Sequence, residues 1–313
     1  MKILIPIDKS RNSSYALAFA SSIAEVSKRP LEIEIVTVLN RLMKKKGGAR
    51  AQEALAGMGV QTEGLNLLQP TEELFTEALG YFKAPRDGVK VTTKILYGKN
   101  PAEEIVWEAK HSGSDLILMG ARGQTPLQAL VFGSVTSGVL AGCKVPVMVL
   151  RDERKLADGQ FRVAIAVDGS KTSIKGVRHI AENRGLYKGC ELTALAVTGE
   201  IPDSLLARLG GLEIPKDNPH EYLAREIEKA QKDDFEAAFK PLRKQLEGTR
   251  LVCREVGLVR GDPALAIADY VKENEPDLLV IGSRGRGRVK AALMGSTASK
   301  VTAITTVPLL IIR

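Results

Sequence analysis

The sequence has few of the residues that stabilise small secreted proteins or bind transition metals. Its 313 residues include three cysteines, which lie far apart and form no CxxC pair (Cys143, Cys190 and Cys253). That spacing argues against a disulfide framework and against a cysteine-based zinc site. The three histidines share no repeat position and show no spacing to a carboxylate that suggests a catalytic triad or a metal site. We therefore expect no catalytic constellation, no resident metal and a reducing, cytoplasmic location.

Long apolar runs and aromatic residues are also scarce. No run approaches the roughly 18 apolar residues that a membrane-spanning helix needs. The first apolar stretch meets an acid at Asp8, which makes it too short for a signal peptide. Aromatic residues form 4% of the chain, so stacking platforms for single-stranded nucleic acid are few. With 44% hydrophobic and 26% charged residues, the composition is that of an ordinary globular protein.

The net charge of +8 raises the question of nucleic-acid binding. The excess is spread along the chain, because residues 1–151 hold 19 basic and 14 acidic residues and residues 161–313 hold 24 and 20. Only Lys44–Lys46 and the stretch Arg284–Lys290 concentrate it. We therefore expect the chain not to be a dedicated nucleic-acid binder.

An internal repeat dominates the sequence. Residues 115–151 align without a gap to residues 277–313, and 14 of the 37 positions are identical. The chain is therefore expected to contain two copies of one domain, at residues 1–151 and 161–313. The polar segment 152–160 joins them and shows no apolar periodicity.

Each copy alternates short apolar strands with stretches of helical periodicity. The predicted strands are 3–7, 33–39, 89–96, 116–119 and 147–150, then 163–167, 192–197, 250–256, 278–281 and 309–312. A helix is predicted to begin at Pro101, since proline favours the first helical turn. Longer variable stretches contain predicted helices at about 72–82 and 221–246. This alternation predicts an α/β fold with a doubly wound parallel sheet in each copy.

The strongest chemical signal is a glycine pattern after the fourth strand of each copy. It consists of Gly120, Gly123, Gly133 and Ser134 in the first copy, and Gly282, Gly285, Gly295 and Ser296 in the second. The first glycine is interpreted as a sharp turn that lets a ligand approach the backbone. The glycine–serine pair begins the next helix, whose N–H groups favour an anion. The serine hydroxyl would cap that helix or donate to a phosphate.

Other residues are candidates with two interpretations each. The glycines alone could serve turn geometry, although their duplicated spacing favours a phosphate cradle. Asp8 and Asp168 end the first strand, where a carboxylate can accept from a nucleoside or cap the following helix. Arg122 and Arg284 lie between the first two glycines, as phosphate ligands or as solvated surface residues.

These motifs together resemble the universal stress protein family in its tandem form. The resemblance rests on the D-x-S end of the first strand, the Gly261–Ala264 segment and the duplicated G-x2-G-x9-G-S pattern. It implies a Rossmann-like domain related to adenine nucleotide alpha hydrolases, with five parallel strands in the order 3-2-1-4-5. It also implies ATP binding by the glycine pattern, with the nucleoside held by the acid of the first strand and by backbone near Val38 and Val197.

The resemblance indicates a nucleotide-binding regulatory protein of the stress response as the leading function. The alternatives are a slow ATPase or adenine-nucleotide hydrolase, and a scaffold that binds no nucleotide. The ligand would be ATP, or else AMP or ADP, and Mg²⁺ could bridge its phosphates beside Asp8 or Asp168. A protein partner is expected, of unknown identity.

The two copies differ inside the nine-residue loop of the glycine pattern. The first copy has Pro126 there, which stiffens the chain, whereas the second has Arg286, Arg288 and Lys290 beside Gly287. We therefore expect the second copy to bind polyphosphate more tightly.

The closing strand of each copy bears on assembly. An unpaired closing strand would leave an exposed edge, and members of the family commonly pair through it. We therefore expect the strands at 146–151 and 308–313 to pair within one chain as an intramolecular pseudo-dimer. The chain would then be a monomer or would form a further homodimer.

Overall fold

The computed structural model describes residues 1–27, 29–40, 69–82, 87–121, 132–151, 161–187, 189–285 and 294–313. The chain divides into two compact units, Met1–Leu156 and Ala157–Arg313. Across the described ranges, no helix combines the length and the apolar character needed to cross a bilayer. The segment 41–68 and the joining segment 152–160 lie outside the described residues, as does most of each glycine-pattern loop.

The first unit alternates strands and helices throughout its described part. Its elements are β1 (Lys2–Pro6), α1 (Arg11–Val26), β2 (Leu31–Leu39), α2 (Gln69–Gly80), β3 (Val89–Tyr97), α3 (Pro101–His111), β4 (Leu116–Gly120), α4 (Ser134–Gly142) and β5 (Val147–Leu150). The strands lie in the order β3-β2-β1-β4-β5, and every pairing within the unit is parallel. As predicted, α3 begins at Pro101.

The second unit repeats this arrangement. Its elements are β6 (Arg162–Ala166), α5 (Lys171–Glu182), β7 (Glu191–Thr198), α6 (Asp203–Leu206), α7 (Pro219–Leu246), β8 (Cys253–Val259), α8 (Pro263–Asn274), β9 (Leu278–Gly282), α9 (Ser296–Ile304) and β10 (Leu309–Ile312). The strands lie in the order β8-β7-β6-β9-β10, again with parallel pairings. The predicted α/β fold is therefore confirmed in both units.

The core of each unit follows from its central strands. Every residue of β4, and every residue of β5, is buried, as expected where helices cover both faces of a sheet. Glycine permits close helix packing at one point of the second unit, because a Cβ at Gly176 of α5 would lie 3.1 Å from Ile165 and 3.2 Å from Val280. The edge strand β3 is mostly exposed or half-buried and carries lysine and threonine instead.

The strand order creates one topological switch point in each unit. In the first unit the connection after β1 leads to β2 and the connection after β4 leads to β5, so the two strands feed opposite directions of the sheet. The same reversal separates β6 from β9. Ligands of such sheets bind in the crevice at the carboxyl ends of the strands on either side of the switch. That position is where the acids and glycines of the repeat lie.

Candidate functional site

A cleft of about 420 Å³ opens at the switch point of the second unit. Seven residues singled out in the sequence line it together: Asp168, Val197, Gly282, Arg284, Gly285, Gly295 and Ser296. They come from the ends of β6, β7 and β9 and from the start of α9. The fold thus brings the acid of the first strand, the end of the second strand and the glycine pattern to one place.

The cleft is lined by both apolar and polar side chains. Leu195 and Ile281 contribute strand side chains, and Pro263 and Ile267 contribute the first turns of α8. Ser173 and Thr297 add hydroxyl groups beside the acid and the helix start. Binding sites for small molecules commonly combine such an apolar lining with a few placed polar groups.

Asp168 serves both the helix that follows it and the cleft. Its Oδ1 accepts a hydrogen bond from the backbone N–H of Ser170 at 2.9 Å, which shapes the start of α5. Its Oδ2 lies on the side of the glycine pattern, where a Cβ at Gly285 would be 2.7 Å away. The absence of a side chain at Gly285 therefore lets the loop approach the carboxylate closely.

The first glycine of each pattern lies where neighbouring atoms leave little space for a side chain. Positive φ angles occur at five described glycines, and neither Gly120 nor Gly282 is one of them. A Cβ at Gly120 would lie 2.5 Å from both Cβ and the carbonyl oxygen of Asn12. A Cβ at Gly282 would lie 3.1 Å from Thr172 and from the carbonyl of Arg284. Neither glycine therefore needs a left-handed backbone, and both lie where neighbouring atoms leave little space for a side chain.

Glycine, not serine, caps the helix after the glycine pattern. Gly133 and Gly295 are the N-cap residues, and Ser134 and Ser296 occupy the first helical position. The proposed serine cap is therefore wrong. Because a glycine cap has no side chain to accept from the first turn, the first N–H groups of the helix have no cap acceptor there. In α9 this helix start lines the cleft through Gly295, Ser296 and Thr297.

The motif at the start of α8 supplies a wall of the cleft that was not assigned from sequence. Asp262 is the N-cap, and its Oδ1 accepts from the backbone N–H of Ala264 at 2.9 Å. Lys300 of α9 donates to its Oδ2 at 2.8 Å, and this bond with the cap bond lowers the pKa of Asp262. Pro263 follows and lines the cleft. The G-x-P-A segment could have predicted this wall, because α8 begins within that segment and lines the cleft.

The first unit presents its candidate residues differently. Asp8 lies between β1 and α1 and lines a separate pocket of about 290 Å³ with Ser10, Arg11 and Glu73. Val38 lies on β2 opposite Leu96 of β3. Gly120, Gly133 and Ser134 hold the same places as their counterparts in the second unit. The remaining candidates, Arg122 and Gly123, lie outside the described residues, as do Pro126, Arg286, Gly287, Arg288 and Lys290.

Two comparisons with curated proteins agree on the family. The chain is 23% identical over 311 residues to a universal stress protein E homolog of Haemophilus influenzae, covering 96% of this chain and 93% of the relative. It is 24% identical over 235 residues to universal stress protein E of Escherichia coli, covering 74% and 70%. Both alignments run through the two units rather than through one.

A solved structure and a family model extend this likeness. The crystal structure of a universal stress protein from Archaeoglobus fulgidus matches with a TM-score of 0.62 at 23% identity, over 99% of this chain and 97% of that one. The model of the universal stress protein family matches twice, at residues 1–151 and 161–313. The chain, with its two tandem copies, therefore belongs to the universal stress protein family.

Proposed function

We propose that this protein binds an adenine nucleotide, with ATP as the first candidate, in the cleft of the second unit and acts as a nucleotide-responsive regulator of the stress response. The supporting observation is that the cleft gathers Asp168, the glycine pattern and the start of α9 at one switch point. Its apolar lining residues suit a flat heterocycle, and its polar lining residues and helix start suit a ribose and phosphates.

Each part of the nucleotide has a matching part of the cleft in this proposal. The backbone at the end of β7 near Val197 and the carboxylate of Asp168 would hold the nucleoside, since both offer hydrogen-bond acceptors. The start of α9 at Ser296 and the guanidinium of Arg284 would hold the phosphates, since helix N-termini and arginine favour anions. Mg²⁺ would accompany the phosphates, because it is commonly bound through substrate phosphates and one or two carboxylates.

The test uses a glycine of the cleft that has space for a Cβ. A Cβ at Gly295 would lie 3.5 Å from the nearest atom, the carbonyl oxygen of Ser283, which is an ordinary contact. We expect Gly295→Val to weaken ATP binding about tenfold or more in isothermal titration calorimetry, because its methyl groups would occupy the phosphate end. Gly210→Val is the matched control, since Gly210 is exposed and has no atom within 4 Å of a built Cβ. Equal ATP affinity in the two variants would contradict the proposal.

A corresponding variant tests the first unit, and further assays test the alternative functions. We expect the first unit to hold a second ATP site, which Gly133→Val would remove. This site is expected to be weaker than that of the second unit, because only the loop of the second unit carries Arg286, Arg288 and Lys290. Equal affinities of the two sites would contradict that ranking. Hydrolysis of labelled ATP that is lost in a Gly133→Val, Gly295→Val double variant would instead favour the ATPase. Salt-sensitive DNA binding that ATP leaves unchanged would favour the scaffold.

A further inference from the structure

The end of β7 presents backbone groups to the cleft. The pairing of β6 with β7 ends at Ala166 and Leu195, and the N–H of Val167 donates to the carbonyl of Leu195 at 2.8 Å. Val197 lies two residues further along β7, and alternate residues of a paired strand direct their backbone groups to the same side. The N–H and the carbonyl of Val197 therefore point past the last pair of β6 and β7, where Val197 lines the cleft beside Asp168.

The backbone that follows Val197 is tethered to α7. The hydroxyl of Thr198 donates to Oδ2 of Asp234 at 2.8 Å. Gln231, one turn earlier in α7, donates from Nε2 to the carbonyl of Glu200 at 3.0 Å. Two side chains of one helix thus hold the strand end immediately after the residue that lines the cleft.

Asp234 has an uncommon position for an acid. It lies one turn after Ala230 and one turn before Ala238, and both alanines are buried. Charged residues seldom occupy the inward stripe of a helix unless a partner satisfies them. Thr198 is itself 6% exposed, so the partner of Asp234 lies in the packed layer between α7 and the sheet. The bond is therefore built into the packing of the second unit.

The first unit has the same strand end without this hydroxyl. Leu39 ends β2 as Thr198 ends β7. The carbonyl of Leu39 accepts from the N–H of Gly98 at 2.9 Å, and the carbonyl of Thr198 accepts from the N–H of Arg260 at the same distance. The backbone bond at the strand end is therefore common to the two units, whereas the hydroxyl tether belongs to the second.

We infer that Thr198, Asp234 and Gln231 are positioning residues, which fix the backbone of Val197 so that the cleft selects a purine with an exocyclic amino group. This role rests on the nucleotide site proposed above. The carbonyl of Val197 would accept from the amino group of adenine, whereas hypoxanthine presents a carbonyl oxygen at that place. A site built to pair with an N–H group discriminates against an analogue that lacks it, because its own acceptor is left unpaired.

The experiment compares ATP with ITP by isothermal titration calorimetry of the full chain. We expect the unaltered chain to bind ATP about tenfold or more tightly than ITP. Thr198→Val keeps the shape of the side chain but removes the hydroxyl. It is expected to weaken ATP about fivefold and to change the affinity for ITP by less than about twofold. Thr198→Ser restores the hydroxyl and is expected to recover the preference, whereas a general disturbance of the fold would weaken both nucleotides alike.

Further variants assign the effect to the tether. Asp234→Ala is expected to lower the preference for ATP as much as Thr198→Val does, and the double variant is expected to lower it no further, because both changes remove one bond. Gln231→Ala is expected to lower it by a smaller factor, about twofold. Thr193→Val is the matched control, since it makes the same change on the same strand at the residue that pairs with Ala164 of β6. It is expected to leave the preference unchanged.

The outcomes separate this role from the proposed function. If the unaltered chain bound neither nucleotide, both the proposed function and the positioning role would be overturned. If it bound ATP and ITP equally, nucleotide binding would stand and the selection of the amino group would be overturned. A full preference for ATP in Thr198→Val, or an equal effect of Thr198→Val and Thr193→Val, would overturn the positioning role alone.

Discussion

The acid at the end of the first strand occurs in both units but has different hydrogen-bond partners. In the first unit, Oδ1 of Asp8 accepts from the backbone N–H of Ser10 at 3.0 Å and from the hydroxyl of Ser13 at 2.8 Å. In the second unit, Oδ1 of Asp168 accepts from the N–H of Ser170 at 2.9 Å, while the hydroxyl of Ser173 donates to the carbonyl of Ser170 at 3.0 Å. The serine hydroxyl five residues after the acid therefore bonds to the carboxylate in the first unit and to a backbone carbonyl in the second.

A parallel difference separates the two glycines that end β4 and β9. The start of α1 approaches Gly120 through the backbone of Asn12, whereas the start of α5 approaches Gly282 through the side chain of Thr172. A side chain can rotate away, but a backbone carbonyl cannot move without the helix. The glycine therefore packs more tightly against its helix in the first unit than in the second, where the candidate cleft lies. An added side chain should be tolerated better at Gly282 than at Gly120.

The largest expected effect comes from adding a methyl group at these glycines. We expect Gly120→Ala to destabilise the first unit by about 3 kcal/mol, because backbone atoms of α1 must shift. We expect Gly282→Ala to cost about 1 kcal/mol, because the contacts there are at 3.1 Å and one of them is a side chain. Hydrogen–deuterium exchange of β1 and β6 measures both losses in the intact chain. Fluorescence of Trp107, the sole tryptophan, follows the first unit independently.

The relative stability of these two variants can also contradict the proposed difference between the units. If Gly282→Ala cost as much as Gly120→Ala, the two helices would pack equally tightly and the proposed difference between the units would fail. Gly210→Ala serves as the control, because an added Cβ meets no atom within 4 Å there. It is expected to change the free energy of unfolding by less than about 0.5 kcal/mol.

The next effect concerns the acids themselves. We expect Asp8→Ala to destabilise the first unit by about 2 kcal/mol, since it removes the acceptor of two hydrogen bonds to a charged group. Asp168→Ala is expected to cost at least about 1 kcal/mol, since the bond from the N–H of Ser170 is lost, and also to weaken ATP binding. Urea unfolding followed by hydrogen exchange measures the two losses of stability, and calorimetry measures the change in ATP affinity. Unchanged ATP affinity in Asp168→Ala would contradict the role of this acid in the cleft.

Much of this arrangement could be predicted from the sequence, because it depends on local signals that the repeat displays twice. The short apolar runs predict the strands, and Pro101 predicts the start of α3. The order of the strands predicts that Asp168 and the glycine pattern lie close together. The role of Gly120 could not be predicted, because it depends on contact with Asn12, which is distant in the chain. The predicted strand 250–256 also began too early, since β8 starts at Cys253.

The helix cap was missed for a different physical reason. A serine beside a glycine at a helix start favours the serine as cap on hydrogen-bonding grounds. In this fold the chain enters α4 and α9 with the glycine in the extended cap conformation, which places the serine one residue inside the helix.

The smallest expected effect is a pH dependence confined to the second unit. The caps of α3 and α8 are Asn100 and Asp262, and each accepts from the N–H two residues later. The hydrogen bond from Lys300 and the cap bond hold the pKa of Asp262 below its ordinary value. Its ionised form therefore stabilises the fold above the unfolded pKa of about 4, and this contribution is lost as the pH falls through the lower folded pKa.

Substitutions at the two caps isolate this dependence. Asp262→Asn preserves the cap, as Asn100 shows, but removes the titrating group, so the acid-induced loss of protection in α8 is expected to be smaller than in the unaltered chain. Asn100→Asp is expected to introduce only a weak dependence in α3, because Gly138 stands where Lys300 would be. Hydrogen exchange at about pH 6 and about pH 3 compares the two helices in one sample. If Asp262→Asn lost as much protection on acidification as the unaltered chain, the ion pair with Lys300 would make no contribution to folding.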